Sequence, residues 1–397
     1  MNPELELLQP YPFERLAALL ADVTPADIEK ISLSVGEPRH EAPPVALDAL
    51  VKNLQSVQTY PPTRGSDTLR EAMASWLTTR YQLTNAINPA AQIIPVNGTR
   101  EALFAIAQCI LDRHSNRNIV LMPNPFYQIY EGATYLAGLQ PEFYDAASTA
   151  SAGPDFSAIP EESWAATQML YVCNPGNPTG STLSQAEFEL LINLSDRHDF
   201  VIASDECYSE IYRESAGAPV GLLQAASAMG NTSYRNCLVF HSLSKRSNLP
   251  GLRSGFVAGD ERLIKKFLHY RTYHGCSMAP PTQHASIAAW SDEQHVTENR
   301  KIYDEKYQAV LEVLAPVLKV NVPAAGFYLW PAVPMSDEAF TVGMHELHNV
   351  AVVPGSYLAR EINGRNPGTG RARLALVAEL ENCVEAARRI SQFVSDY

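Results

Sequence analysis

The sequence predicts an α/β fold with a mostly parallel central sheet in a large domain, joined to a smaller α+β domain. Two observations carry this expectation. Short apolar, β-branched-rich segments ("QIIPV", "NIVLM", "QMLYVC", "FVIAS", "CLVF" and "GFVAG") recur between residues 92 and 259, separated by helical patterns or loops. That alternation is the signature of parallel strands with crossover connections, buried on both faces. After about residue 285 the pattern changes to long helical stretches with fewer strands, ending in the amphipathic run "VEAARRISQFV". The expected division is an N-terminal segment over 1–45 that joins the small domain, a large domain over 46–285 and a small C-terminal domain over 286–397.

Composition excludes several function classes. A formal net charge of -13 with no Lys/Arg run disfavours nucleic acid or an anionic membrane surface as a partner. The six cysteines are scattered with no Cys-x-x-Cys pair, as expected of reduced thiols in the cytoplasm. The first twenty residues carry three acids and no basic n-region, unlike a signal peptide, and no apolar run reaches the length of a membrane span.

In sheets of this kind ligands bind beyond the carboxyl ends of the strands, so the polar residues there are the ones to weigh. "QIIPVNGTREALFAIAQCILDR" runs from a strand through Asn97, Gly98 and Thr99 into a helix whose apolar face is Leu103, Ile106, Ala107, Ile110 and Leu111. Gly98 lets the backbone approach a ligand, which makes this helix start a candidate phosphate cradle; a plain helix cap accounts for the same residues. No Gly-x-Gly-x-x-Gly and no phosphate-loop Gly-Lys-Ser/Thr is present, so dinucleotides and nucleoside triphosphates gain no support.

"YVCNPGNPTG" follows a buried strand and presents Asn177 at a proline-rigid turn, either as a ligand for a hydroxyl or as part of the turn itself. In "FVIASDECYSEIY" the carboxylate of Asp205 ends an apolar run, where it needs a partner if buried; Tyr208 follows three residues later. In "HSLSKRSNLPGLRSG" Lys245 follows a strand, with Ser242, Ser244 and Arg253 nearby to suit a phosphate. A desolvated lysine near other cations loses pKa and becomes a nucleophile able to form a Schiff base, although most lysines are simply solvated. Together on one chain these segments describe a site for pyridoxal 5'-phosphate, which needs a lysine, an acid against its pyridine nitrogen and a phosphate pocket.

The sequence resembles the fold type I pyridoxal-phosphate aminotransferases (class I/II) over nearly its whole length. The motifs that carry the resemblance are "GEP", "YPPTRGSDTLREA", "NGTREAL", "NPFYQIY", "NPGNPTG", "SDECY", "SLSKRSNLPGLRSG" and "RARLAL". The resemblance implies that Lys245 carries the cofactor and shuttles the proton at the substrate Cα, and that Asp205 pairs with the ring nitrogen. It implies that Asn177 and Tyr208 bond the ring oxygen and that Tyr127 stacks on the ring. Gly98, Thr99, Ser242 and Arg253 would hold the phosphate, helped by Tyr60 reaching in from a neighbouring subunit of a homodimer, and Arg100 and Ser244 are further cofactor-binding candidates. Arg373 would grip the substrate α-carboxylate, with Gly36 nearby. The resemblance also implies amino acids and keto acids as substrates.

The N-terminal run "NPELELLQPYPFERLAALLADVTPADIEKISLSVGEPRHEAP" and the C-terminal "NGRNPGTGRARLALVAEL" look like the proteobacterial N-succinyl-LL-2,6-diaminopimelate aminotransferases. Both substrates of such enzymes carry a distal carboxylate, for which Arg39 is the candidate cation; a loop arginine on the surface is the competing reading. "HELH" (345–348) lacks zinc-protease spacing and a third ligand, so no metal is expected. Tyr270, Tyr273 and His274 either line the pocket mouth or pack between domains. A lyase using the same Lys245 and Asp205, or a non-catalytic sensor, are the rival functions.

Overall fold

The computed structural model describes residues 1–146 and 153–397. The main sheet contains β2 (Ile93–Val96), β3 (Ile119–Asn124), β4 (Gln140–Asp145), β5 (Thr167–Cys173), β6 (Val201–Asp205), β7 (Cys237–Ser242) and β8 (Gly255–Gly259), in the order β2-β8-β7-β6-β5-β3-β4. Every pairing is parallel except those of β8, which runs antiparallel to both β2 and β7. The sequence pattern does not reveal that reversal, because "GFVAG" is as apolar as its parallel neighbours. Its cause is the short link from Ser242 to Gly255, which holds only the four-residue helix Leu243–Arg246 and a 3-10 turn at Pro250–Leu252. A parallel return is usually made by a full helix packed across the sheet, which this link does not hold. The edge strand β4, "QPEFYD", is too polar to have stood out in the sequence.

Strand residues alternate between two apolar cores, one on each face of the sheet. Leu121, Leu170, Val172, Ile202 and Val239 face one; Val120, Met122, Met169, Tyr171 and Leu238 face the other. The period of two along each strand therefore buries both faces under helices.

A third core lies between the long helices Gln294–Leu314 and Leu380–Ser395 and a small sheet. That sheet is the antiparallel set β11 (Val353–Pro354), β12 (Ala372–Ala375) and β9 (Tyr328–Leu329). Beside it, β1 (Ile31–Ser32) pairs in parallel with β10 (Val350–Ala351), so the N-terminal segment is tied to the C-terminal third. Among the described residues all six cysteines are free, and no helix is long and apolar enough to cross a membrane.

Candidate active site

Strands β2, β5, β6 and β7 point the same way, so the residues after their carboxyl ends converge on one cleft. A cavity of about 480 Å³ opens there, closed on its far side by β9, β12 and the N-terminal helix Pro12–Leu20. Of the residues singled out from the sequence, Gly36, Thr99, Arg100, Tyr127, Asn177, Asp205, Tyr208, Ser242, Ser244, Lys245, Arg253 and Arg373 all line it.

Lys245 sits in the helix Leu243–Arg246, whose N-cap Ser242 accepts the Ser244 amide proton at 3.1 Å. Its Nζ donates to the Gly36 carbonyl. Burial pushes the ammonium down to about 8, and Arg373 and Arg100 act in the same direction. The amine is thus closer to its nucleophilic form than an exposed lysine.

Asp205 is buried at the end of β6. Burial pushes its pKa upward, opposed by the donors around it: Tyr130 Oη at 2.7 Å from Oδ2 and the Cys207 amide at 3.3 Å from Oδ1. Tyr130 was not singled out from the sequence. Its one signal is its place in "NPFYQIY", nearly one helical turn after Tyr127, and the strand pairing decides where the hydroxyl lands.

Gly98 has a left-handed φ of 92°, and a Cβ there would overlap the Arg253 guanidinium. The backbone and Arg253 therefore meet as closely as two groups can, beside Ser242 and Thr99. Arg253 forms no ion pair among the described residues; Nη1 donates to the Pro250 carbonyl at 2.8 Å. A cation without a carboxylate, a glycine at a helix start and a serine hydroxyl form an anion site.

On the opposite wall Arg373 of β12 is buried, donating Nη1 to Asn177 Oδ1 at 3.1 Å and Nη2 to the Ser34 carbonyl at 2.8 Å. Its Nε is buried with no partner, and it too lacks an ion pair among the described residues. Such a guanidinium is suited to a ligand carboxylate. Tyr328 of β9, missed in the sequence, lies between the two walls: its hydroxyl is 3.1 Å from that of Tyr208, and Arg373 stands 4.6 Å over its ring.

Arg100 points its Nε at the Tyr127 hydroxyl, 2.5 Å away, and its Nη2 at the Tyr11 hydroxyl, 3.3 Å away. Two of the expected residues do not join the site of this chain. Arg39 is exposed and does not line the cavity, although Glu37, two residues before it, does. Tyr60 is fully exposed, beside the exposed apolar residues Val51, Leu54 and Val57.

An anion cradle, a buried acid and a lysine of lowered pKa around one cleft fit pyridoxal 5'-phosphate group by group: phosphate, ring nitrogen and carbonyl carbon. These are the parts of a pyridoxal-phosphate enzyme with an added site for a substrate carboxylate. Residues 28–390 match the family Aminotransferase class I and II, and the chain belongs to it. It is an aminotransferase, and the family uses pyridoxal 5'-phosphate.

Among its relatives, the LL-diaminopimelate aminotransferase of Nitratidesulfovibrio vulgaris (strain Miyazaki F) is 29% identical over 394 residues, covering 98% of this chain and 97% of that one. A crystal structure of an aminotransferase from Neisseria meningitidis Z2491 is similar at 46% identity, with a TM-score of 0.94 over 99% of this chain and 100% of that one. A probable N-succinyldiaminopimelate aminotransferase from Thermus thermophilus is 25% identical, with a TM-score of 0.85 over 96% of this chain and 99% of that one.

Proposed function

We propose that this aminotransferase exchanges the amino group of glutamate with N-succinyl-2-amino-6-oxopimelate, making N-succinyl-LL-2,6-diaminopimelate in lysine and diaminopimelate biosynthesis. The observation that carries the proposal is a pair of arginines in one cleft, Arg373 and Arg100, neither with a carboxylate partner among the described residues. A substrate with an α-carboxylate and an acidic arm meets one cation at each end. The relatives named for diaminopimelate and succinyldiaminopimelate transamination support the same substrate class.

Bound in the cleft, pyridoxal phosphate supplies an electrophilic carbonyl for the amino group and a ring that withdraws the electron pair left at Cα. The rest is the work of side chains. Gly98, Thr99, Ser242, Ser244 and Arg253 hold the phosphate, and Tyr127 covers one face of the ring. Asp205, hydrogen-bonded by Tyr130 and the Cys207 amide, which oppose the effect of its burial, would pair with the protonated ring nitrogen. Asn177 and Tyr208 bond the ring oxygen. Arg373 would fix the α-carboxylate, aided by the Gly36 backbone, and so present the Cα proton to Lys245 Nζ, which would take that proton and deliver it to the carbon that receives the amino group.

Arg100 replaces Arg39 as the reader of the distal acid, since Arg100 lines the cavity. We further read the enzyme as a cytoplasmic homodimer in which the exposed stretch around Val51, Val57 and Tyr60 is covered by a second copy, bringing Tyr60 to the partner's phosphate site. In the same reading residues 46–285 form the large domain, and 286–397 with 1–45 form the small one.

The test is a half-reaction. The cofactor-loaded protein is mixed with glutamate, and separately with N-succinyl-LL-diaminopimelate, and the visible absorption of the cofactor is followed. Conversion by both supports the proposal; conversion by glutamate alone removes the succinylated substrate and keeps the mechanism.

A further inference from the structure

Tyr328 touches both Arg373 and Tyr208. It lies on β9, where it pairs with Ala375 of β12. Arg373 is two residues back along β12, the diagonal spacing at which long side chains on one sheet face meet. The guanidinium stands over the Tyr328 ring, and the phenol oxygen reaches across to Tyr208. Gly36 is shaped to the same hydroxyl, because a Cβ at that position would overlap Tyr328 Oη. The ring is 3% exposed, so its hydroxyl must find a partner inside.

Two hydroxyls 3.1 Å apart share one hydrogen bond, and each owns one proton. If Tyr208 donates to Tyr328, its proton is spent there. If Tyr328 donates, the Tyr208 proton is free for another acceptor. Among the described residues Tyr208 Oη has no other hydrogen-bond partner. The guanidinium over the Tyr328 ring draws electron density from that phenol and makes it the stronger donor of the two. The electrostatics of the pair agree: burial raises both phenols, Arg373 lowers both but weighs more on Tyr328, and the contact between them lowers Tyr328 while raising Tyr208.

We propose that Tyr328 is a positioning residue: it donates to the Tyr208 hydroxyl, which obliges Tyr208 to aim its own proton into the cleft at the ring oxygen of the cofactor. Tyr328 thereby links the α-carboxylate cation to the hydroxyl that tunes the cofactor. The inference rests on the reading of Tyr208 given above.

The experiment is a pH titration of the visible absorption of the holoenzyme, comparing the parent with Tyr208→Phe, Tyr328→Phe and the double variant. A bond to the deprotonated ring oxygen lowers the midpoint, so losing it raises the midpoint. Tyr208→Phe is expected to raise it by about one unit and Tyr328→Phe by about half a unit, with the double variant no higher than Tyr208→Phe alone. Tyr328→Phe keeps the ring under Arg373, so its affinity for propionate should match the parent, while the lost buried hydrogen bond lowers its thermal midpoint only slightly. The proposal is overturned if Tyr328→Phe leaves the absorption midpoint unchanged while Tyr208→Phe moves it, or if the two shifts add. Loss of propionate affinity with an unchanged absorption midpoint would make Tyr328 mere packing for Arg373, and also overturns it. If Tyr208→Phe moves nothing, the assignment of Tyr208 itself falls and takes the proposal with it.

Discussion

The Tyr130 hydroxyl donates to Oδ2 of Asp205 at 2.7 Å, with the tyrosine fully buried and the carboxylate nearly so at the wall of the cleft. The Tyr130 ring is stacked on Tyr171 at 4.5 Å, which fixes the direction of the bond. A hydrogen bond to a buried charge is worth about 1.5–3 kcal/mol, so Tyr130→Phe should weaken cofactor binding roughly tenfold or more. Titrating the apoprotein with pyridoxal phosphate measures this; an unchanged Kd would remove Tyr130 from the site.

Asp205 also gives the apoprotein a signed pH dependence. Its folded pKa is raised above the unfolded value of about 3.9. Between those two values the folded chain holds the proton that the unfolded chain has lost, so this residue's contribution to stability falls as pH rises through that window. Tyr130→Phe extends the window upward. Thermal melts of apoprotein from acid to neutral pH should show a steeper loss in that variant than in the parent, and Asp205→Asn should flatten it.

Lys245→Ala should lower the glutamate half-reaction by at least about a hundredfold, the ordinary contribution of a positioned base. In the apoprotein the lysine can be examined directly. Because burial holds its ammonium near 8, labelling of Lys245 by an amine-selective reagent should rise as pH passes about 8, while exposed lysines wait for higher pH. Peptide mapping of labelled protein reads the midpoint.

The two cleft arginines should separate in steady-state kinetics. Arg373→Gln removes the cation proposed to meet the α-carboxylate and leaves the Ser34 carbonyl without its donor, so the Michaelis constants for glutamate and alanine should both rise, by about tenfold to a hundredfold. Arg100→Met should raise the constant for glutamate by about tenfold and leave that for alanine nearly unchanged, whereas Arg39→Ala should change neither. An Arg39 effect on glutamate with none from Arg100 would reverse the assignment of the distal site.

Val51 is 65% exposed and Val57 63%, an unusual cost for apolar side chains left in water. Val51→Asp combined with Val57→Asp should convert the proposed dimer to monomers in sedimentation and weaken cofactor affinity together, since the proposal has Tyr60 reach the partner's phosphate site. A dimer that survives both charges would place the contact elsewhere.

Much of this protein was legible locally. Apolar runs of strand length mark six of the seven strands of the main sheet, and polar residues at or soon after their ends, Asn177, Asp205, Lys245 and Arg253, line the cleft. Both signals lie within a dozen residues of sequence: side chains alternate along a strand, and a ligand site needs polar groups where the strand stops. The tertiary structure decided the rest, because it depends on which distant strands pair. β1 meets β10 more than 300 residues later in the chain, as the register Ile31↔Val350 shows. The pairing of β9 with β12 sets Tyr328 against Arg373, and the Tyr130 hydroxyl reaches Asp205 across the sheet. Arg39 and Arg100 are both arginines beside a glycine motif; only the path of the backbone puts one in the cleft and the other outside it.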